Sequence, residues 1–230
     1  MISLENAAFH YEDMAMLFTL EVPKDSFTAV IGPSGAGKST LLSLIAGFDI
    51  PFSGSIRIGG RDMAGLAPGQ RPVSMIFQDN NVFGYLDLRQ NVAIGLSPSL
   101  KLTGTQDAET DDALRRVGLY ELRHRKPGEV SGGERQRVGI ARALVRNKPV
   151  LLLDEPFAAL GPALRRGMLD LLRETQQEKR LTILMVSHQP EDARHAASHT
   201  AFVQQGQVLA MAPTGEFFRR SNLPELRDYL

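Results

Sequence analysis

The chain has 230 residues, with 26 Lys and Arg against 26 Asp and Glu, and no cysteine. A chain of this length buries roughly 70–75% of its unfolded surface, enough for one domain with a subdomain. The balanced charge supplies no basic field for nucleic acid and no acidic solvating tail, and the missing cysteines exclude disulfides, thiol chemistry and cysteine-type zinc sites, which fits a reducing compartment. The opening MISLENAAFHYED carries Glu5 and no basic cluster before an apolar stretch, so a secretory signal is not expected. No apolar run reaches the roughly 18–20 residues that cross a bilayer, so membrane association is expected to come through a partner.

The first elements are strands: Ile2 to Phe9, the alternating Phe18, Leu20 and Val22, and the apolar Thr28 to Ile31. Helical spacing follows over Leu41 to Ala46, then strands at Ile56/Ile58 and Val73 to Phe77. Between Leu88 and Val117 the text turns polar, with SPSLKLTGTQDAETDD and a periodic Ala113, Leu114 and Val117; this predicts a helical insertion tethered by loops. Val138, Ala141, Leu144 and Val145 share a helix face, as do Leu164, Met168, Leu171 and Leu172, with Pro162 suited to a first turn. Val150 to Leu153 and Thr182 to Val186 are continuous apolar runs, as buried parallel strands are, whereas the early alternating strands suit an antiparallel sheet with one wet face. His195 and His199 in HAASH lie four apart on one face of a possible helix, but no third zinc ligand accompanies them. Thr214 to Leu230 predicts a short amphipathic helix at most. The expected fold is an α/β core with an antiparallel β part, one unit over 1–230 without a C-terminal accessory domain.

The run Gly32-Pro33-Ser34-Gly35-Ala36-Gly37-Lys38-Ser39-Thr40 matches G-x-x-x-x-G-K-[ST], follows an apolar strand and precedes a helix, the context that makes the pattern a phosphate loop. Its glycines let backbone N–H groups face phosphates at a helix N-terminus, Lys38 neutralises β/γ oxygens, Ser39 offers a hydroxyl to Mg²⁺, and Thr40 adds a donor. Val150-Leu151-Leu152-Leu153 ends in Asp154-Glu155. A carboxylate at a buried strand's tip suits Mg²⁺ held through water, so Asp154 is the metal residue and Glu155 the group that orients or deprotonates the attacking water.

Ser131-Gly132-Gly133-Glu134 fits a capping box opening the helix from Arg135 to Arg146. A box needs no paired glycines, however; Gly132 and Gly133 leave bare N–H groups at a positive helix end, as an anion site does.

With these three motifs in order, the sequence resembles the ATP-binding cassette (ABC) ATPases, whose LSGGQ-type signature is similar to VSGGERQR here, with Glu134 for the usual Gln. The resemblance covers nearly the whole chain. It implies a P-loop NTPase core with an antiparallel β subdomain and a helical signature subdomain at about 85–147. It also implies ATP and Mg²⁺ as ligands and a head-to-tail dimer in which Ser131, Gly132 and Gly133 reach the γ-phosphate held by the second copy. Gln78 falls where the family has a Gln that approaches Mg²⁺, His188 where it has a γ-phosphate contact, and Tyr11 where an aromatic stacks on adenine. Singly, these are also what an exposed amide, a surface imidazole and a core tyrosine look like.

One position departs from the family: Ala158-Ala159-Leu160-Gly161 puts glycine where an aspartate helps two sites communicate. Slower or less cooperative hydrolysis is the expected consequence. With no membrane span, transport requires separate permease subunits and, indirectly, a solute-binding protein. Val82, Phe83, Tyr85 and Leu86 offer a docking groove, although core packing accounts for the same residues. RRPVSMIFQDNNVF, PSLKLTG and LLLDEPFAALGPALR are similar to the ATPase subunit of bacterial thiamine importers, which implies uptake of thiamine and its phosphates from the cytoplasmic face of the inner membrane. Sulfate, molybdate, iron and polyamine importers are the nearest alternatives, then non-transport ABC ATPases; a P-loop kinase would lack the signature.

Overall fold

The computed structural model describes residues 1–11, 14–78, 82–219 and 224–229. Strands β1 (Ile2–Tyr11) and β2 (Met14–Val22) lead to β3 (Phe27–Ile31), the phosphate loop and helix α1 (Lys38–Ala46); β4 (Ser53–Ile58), the short β5 (Arg61–Asp62) and β6 (Val73–Ile76) follow. Three helices come next: α2 (Leu88–Ala93), α3 (Gly104–Arg116) and α4 (Gly132–Val145). The chain then alternates through β7 (Val150–Asp154), α5 (Pro162–Lys179), β8 (Thr182–Val186) and α6 (Pro190–Ala196), forms the hairpin β9 (His199–Gln204) and β10 (Gln207–Pro213), and ends in α7 (Thr214–Phe217) and α8 (Pro224–Tyr229).

The strands form two sheets. One is antiparallel, in the order β2-β1-β4-β5, and the other runs β10-β9-β3-β8-β7-β6, parallel except for the β9/β10 pair. Alternation fits the first: β2 reads buried at Met16, Phe18, Leu20 and Val22 and turns the residues between outward. Continuous apolarity fits the second, since β3, β7 and β8 are buried at every residue. On one side of the parallel sheet, Leu41, Leu42 and Ile45 of α1 pack with Leu152 and Leu184 and with Leu4, Phe18 and Ile56 of the antiparallel sheet. On the other side Leu151, Leu153 and Ile183 share a core with Val138 and Ile140 of α4, Leu172 of α5, Leu88 of α2 and Leu114 of α3. The helical insertion is thus packed onto the sheet rather than around a core of its own.

Register determines where chemistry can gather. Ile76 lies beside Leu153, Asp154 beside Val186, and Val30 beside Val186, so β6, β7, β8 and β3 finish at one edge. In open parallel sheets ligands bind at that carboxyl edge.

The structure differs from the sequence reading in its last third. α6 ends at Ala196 and His199 starts β9, so His195 and His199 do not share a helix face. β9 must pair with β3, and burying Ala201, Phe202 and Val203 there outweighs continuing the helix. His195 instead meets Asp170 at 2.9 Å and His199 meets Ser198 at 3.0 Å. The β9/β10 hairpin was not anticipated; it turns at Gln205-Gly206, both at positive φ, as a tight two-residue hairpin turn requires. The single terminal helix is two short ones, with residues 220–223 and 230 outside the described residues. β6 stops one residue early, at Ile76, because Phe77 turns out to meet Phe48 edge-on at 5.1 Å.

Candidate functional site

A cavity of about 400 Å³ opens at the carboxyl edge of the parallel sheet, lined by Tyr11, Met14, Met16, the loop from Ser34 to Thr40, Gln78, Glu155 and His188. Tyr11, Met14 and Met16 come from β1 and β2; the loop follows β3, Gln78 lies two residues past β6, Glu155 one past β7 and His188 two past β8.

The loop needs its glycines for different reasons. Gly37 caps α1 in the left-handed conformation, φ 97°. Gly32 has φ 150°, and a Cβ there would stand 2.0 Å from the Val203 carbonyl oxygen. Lys38 is 4% exposed, and its Nζ donates to the carbonyls of Gly32 at 2.8 Å and Pro33 at 2.7 Å. Burial lowers its pKa, against the opposing pull of Glu155 and Asp154. The ammonium is therefore held at the loop, ready to exchange carbonyls for phosphate oxygens.

Ser39 Oγ donates to Asp154 Oδ1 at 3.0 Å. Burial raises Asp154 above the usual carboxylate range, and the Ser39 hydroxyl, which favours the charged form, opposes it. A hydroxyl and a carboxylate in contact beside a phosphate loop are hard oxygen donors of the kind Mg²⁺ takes. The donor set fits that ion, with Gln78 on the same cavity.

Glu155 adopts φ 46°, a left-handed conformation unusual for a non-glycine residue. Its amide donates to Val186 O at 3.2 Å, and its Oε1 faces His188 Nε2 directly. The His188 loop is held from below: Ser187 Oγ donates to Asp192 Oδ2 at 2.6 Å and accepts from the Gln189 amide at 3.0 Å, while Arg165 pairs with Asp192. Tyr11 is 59% exposed, so its ring is open to a planar partner rather than buried as core.

Ser131, Gly132, Gly133 and Glu134 do not line this cavity. Ser131 is an exposed N-cap: its Oγ accepts from the Glu134 amide at 3.2 Å, and Glu134 Oε2 accepts from the Ser131 amide at 2.7 Å. That completes the capping box at an exposed Ser131, with Gly132 and Gly133 half-buried beside it. Gly133 is also a packing requirement, since a Cβ would lie 2.8 Å from Leu160 Cδ2.

Two supports were not foreseen from sequence. The Gly206 amide, at the β9/β10 turn, donates to Ala36 O at 3.0 Å, while Gly206 O accepts from Leu17 at 2.9 Å, bracing the phosphate loop against β2. A Gln-Gly pair between alternating residues was the available signal. The Arg165–Asp192–Ser187 network joins residues on α5, α6 and the end of β8, and only the packing of those elements reveals it.

Comparison with known proteins agrees with this geometry. The ABC transporter family profile matches residues 17–158. The chain is 48% identical over 229 residues to the thiamine import ATP-binding protein ThiQ of Mesorhizobium japonicum, spanning 100% of this chain and 90% of that protein. It is 49% identical to the protein of the same name from Brucella suis, covering 95% of it, and 44% identical to that of Vibrio vulnificus, covering 98%. Among solved structures it is similar to a dimeric ATP-binding cassette in a post-hydrolysis state with ADP and Pi, at TM-score 0.84 and 26% identity over 93% of this chain and 99% of that one. A nucleotide-free cassette shares the fold at TM-score 0.88 and 23% identity, over 99% of this chain and 97% of that one. With matches over its whole length and the phosphate loop, strand-tip carboxylates and signature N-cap in place, the chain belongs to the ABC transporter family.

Proposed function

We propose that the chain is the ATP-binding and hydrolysing subunit of an ABC importer that takes up thiamine and its phosphates through a separate permease. The observation that carries the reading is the convergence of Lys38, the Ser39–Asp154 pair, and Glu155 against His188 at one sheet edge.

In this reading the triphosphate lies along the loop from Gly32 to Thr40, with the adenine on the exposed ring of Tyr11. Ser39, Asp154 and Gln78 would hold Mg²⁺, which would supply positive charge to the bound phosphates. Glu155 orients water at the γ-phosphorus and takes its proton as the new P–O bond forms and the bond to ADP breaks, giving ADP and phosphate. Charge in the transition state falls on Lys38, the loop amides and His188. The remaining donors are Ser131, Gly132, Gly133 and the α4 N-terminus of a second copy, because this chain's own signature does not line its own cavity. Closure of a head-to-tail dimer is then part of catalysis, with ATP as the adhesive and hydrolysis as the release.

The chain works as one unit, residues 1–230, whose helical part, about 85–147, carries the signature. Among the described residues no helix is long and apolar enough to cross a membrane. A permease therefore supplies the path, with the subunit peripheral on the cytoplasmic face of the bacterial inner membrane and a solute-binding protein acting indirectly. Exposed Phe83 and Tyr85, 5.9 Å apart, follow Gln78 in sequence, and exposed Phe48 meets Phe77 just before it, which favours this region for docking. Val82 belongs to the core instead. Thiamine as cargo is supported by relatives named for its import, since nothing in the subunit touches cargo.

The test is uptake of radiolabelled thiamine by cells deleted for this gene and complemented with the wild-type chain or Lys38→Ala. Rescue by the wild type alone is expected. Unchanged uptake in the deletion strain would reject thiamine and leave sulfate, molybdate, iron and polyamines to be tested.

A further inference from the structure

The helix α8 lies far from the nucleotide motifs in sequence, yet it reaches them in space. Leu226, 1% exposed, seats it in a cluster with Ala29 and Ile31 of β3, Ala193 of α6 and Phe202 of β9. The ring of Tyr229 lies on Phe202, centroids 5.6 Å apart. Its hydroxyl goes further and donates to the backbone carbonyl of His188 at 3.2 Å. The amide of Gly32 lies near the phenol oxygen and favours its charged form. The phenol oxygen thus holds the backbone of the residue whose imidazole faces Glu155, close to the first residue of the phosphate loop.

We propose that Tyr229 is a positioning residue for ATP hydrolysis, its hydroxyl fastening the His188 backbone to α8 so that the imidazole stays at the phosphate end of the cavity. The inference rests on the reading of His188 as a γ-phosphate contact. Seating α8 does not need the hydroxyl, because Leu226 and the Tyr229 ring make the apolar contacts. Ser187 and Gln189 on either side are already tied to one another and to Asp192, so the Tyr229 bond acts on the one residue of the three whose side chain enters the cavity. Burial raises the phenol above its ordinary value, against the Gly32 amide, so it stays protonated and donating where the enzyme works.

Tyr229→Phe keeps the ring and removes only the oxygen. In the full-length chain, kcat for ATP hydrolysis is expected to fall about fivefold, the loss of one hydrogen bond. KM for ATP and the melting temperature should not move, and amide exchange over residues 187–189 should quicken. Unchanged kcat, or a loss of kcat matched by losses in ATP affinity and melting temperature, would overturn the proposal. His188→Ala in the same assay separates the two levels. If it abolishes turnover while Tyr229→Phe does not alter it, the Tyr229 assignment alone is wrong; if it leaves turnover intact, the reading of His188 fails and the Tyr229 assignment with it.

Discussion

The amide of Ala159 donates to Oε1 of Gln136 at 3.1 Å, joining the loop that follows Glu155 to the helix that opens with the signature. Gln136 is 2% exposed, and Gly133 packs against Leu160 of the same loop, so the two segments shift as one body. If the signature meets a second copy, movement at Glu155 is passed to that contact through this pair. Gln136→Ala removes the acceptor and is expected to cost about 1 kcal/mol of stability. Denaturant melting measures that, and hydrolysis should fall more than ATP affinity does; an equal fall in both would place Gln136 in folding only.

Gly161 is the N-cap of α5 with φ −67° and ψ 160°, and its side chain accepts nothing because it has none. A Cβ there meets no atom within 4 Å. Gly161→Asp therefore fits without displacement and supplies a cap oxygen, stabilising by roughly a few tenths of a kcal/mol. The functional expectation is faster or more cooperative hydrolysis, read as rate and Hill coefficient against ATP concentration. If both stay unchanged, glycine at this position has no bearing on communication between sites.

What could be read from sequence was what neighbouring residues determine. Gly32 to Thr40 forms its loop and cap from its own glycines, and Ser131 and Glu134 form a box three residues apart. The contacts that finish the site are made across the sheet. Gly206 reaches Ala36 only because β9 lies beside β3, and Asp192 reaches Ser187 and Arg165 only because α5 and α6 pack together. HAASH shows the limit from the other side: its spacing suits a helix, but pairing with β3 claims His199 for a strand.

The hydrogen bond from Ser39 to Asp154 places two oxygen donors in contact beside Lys38. If they serve one Mg²⁺, Asp154→Asn should raise the Mg²⁺ concentration needed for half-maximal hydrolysis by at least about tenfold, by analogy with losing one charged ligand. Binding of ATP measured in EDTA should change little. An unaltered Mg²⁺ dependence would remove Asp154 from the metal site.

Glu134 has its pKa lowered from 4.5, chiefly by the hydrogen bond from the Ser131 amide and next by the Ser131 hydroxyl. The unfolded chain binds the proton more tightly than the folded one. The stabilisation is therefore full above the ordinary value and is lost as pH falls through the lowered one. Glu134→Gln keeps an amide able to close the box but carries no charge toward the helix N-terminus. The wild type should melt above the variant at neutral pH, and the gap should narrow on acidification below 4.5. A gap independent of pH would mean that the charge contributes nothing.

Glu155 combines an unusual backbone with the most direct side-chain contact in the cavity. Its φ of 46° is held by the amide bond to Val186 and by the turn that follows, so the carboxylate direction is set by the fold rather than by solvent. Its side chain is 16% exposed and that of His188 40%, and both line the cavity. Glu155→Gln preserves shape and the bond to His188 and removes only the proton acceptor. Turnover should fall by about 10²–10⁴ while ATP affinity persists. If hydrolysis releases a closed pair, the variant should elute as a dimer on size exclusion with ATP and Mg²⁺ and as a monomer with ADP. A variant that turns over ATP at the wild-type rate would return the role of base to solvent. One that loses turnover but never dimerises would detach hydrolysis from closure, and with it the account of the signature.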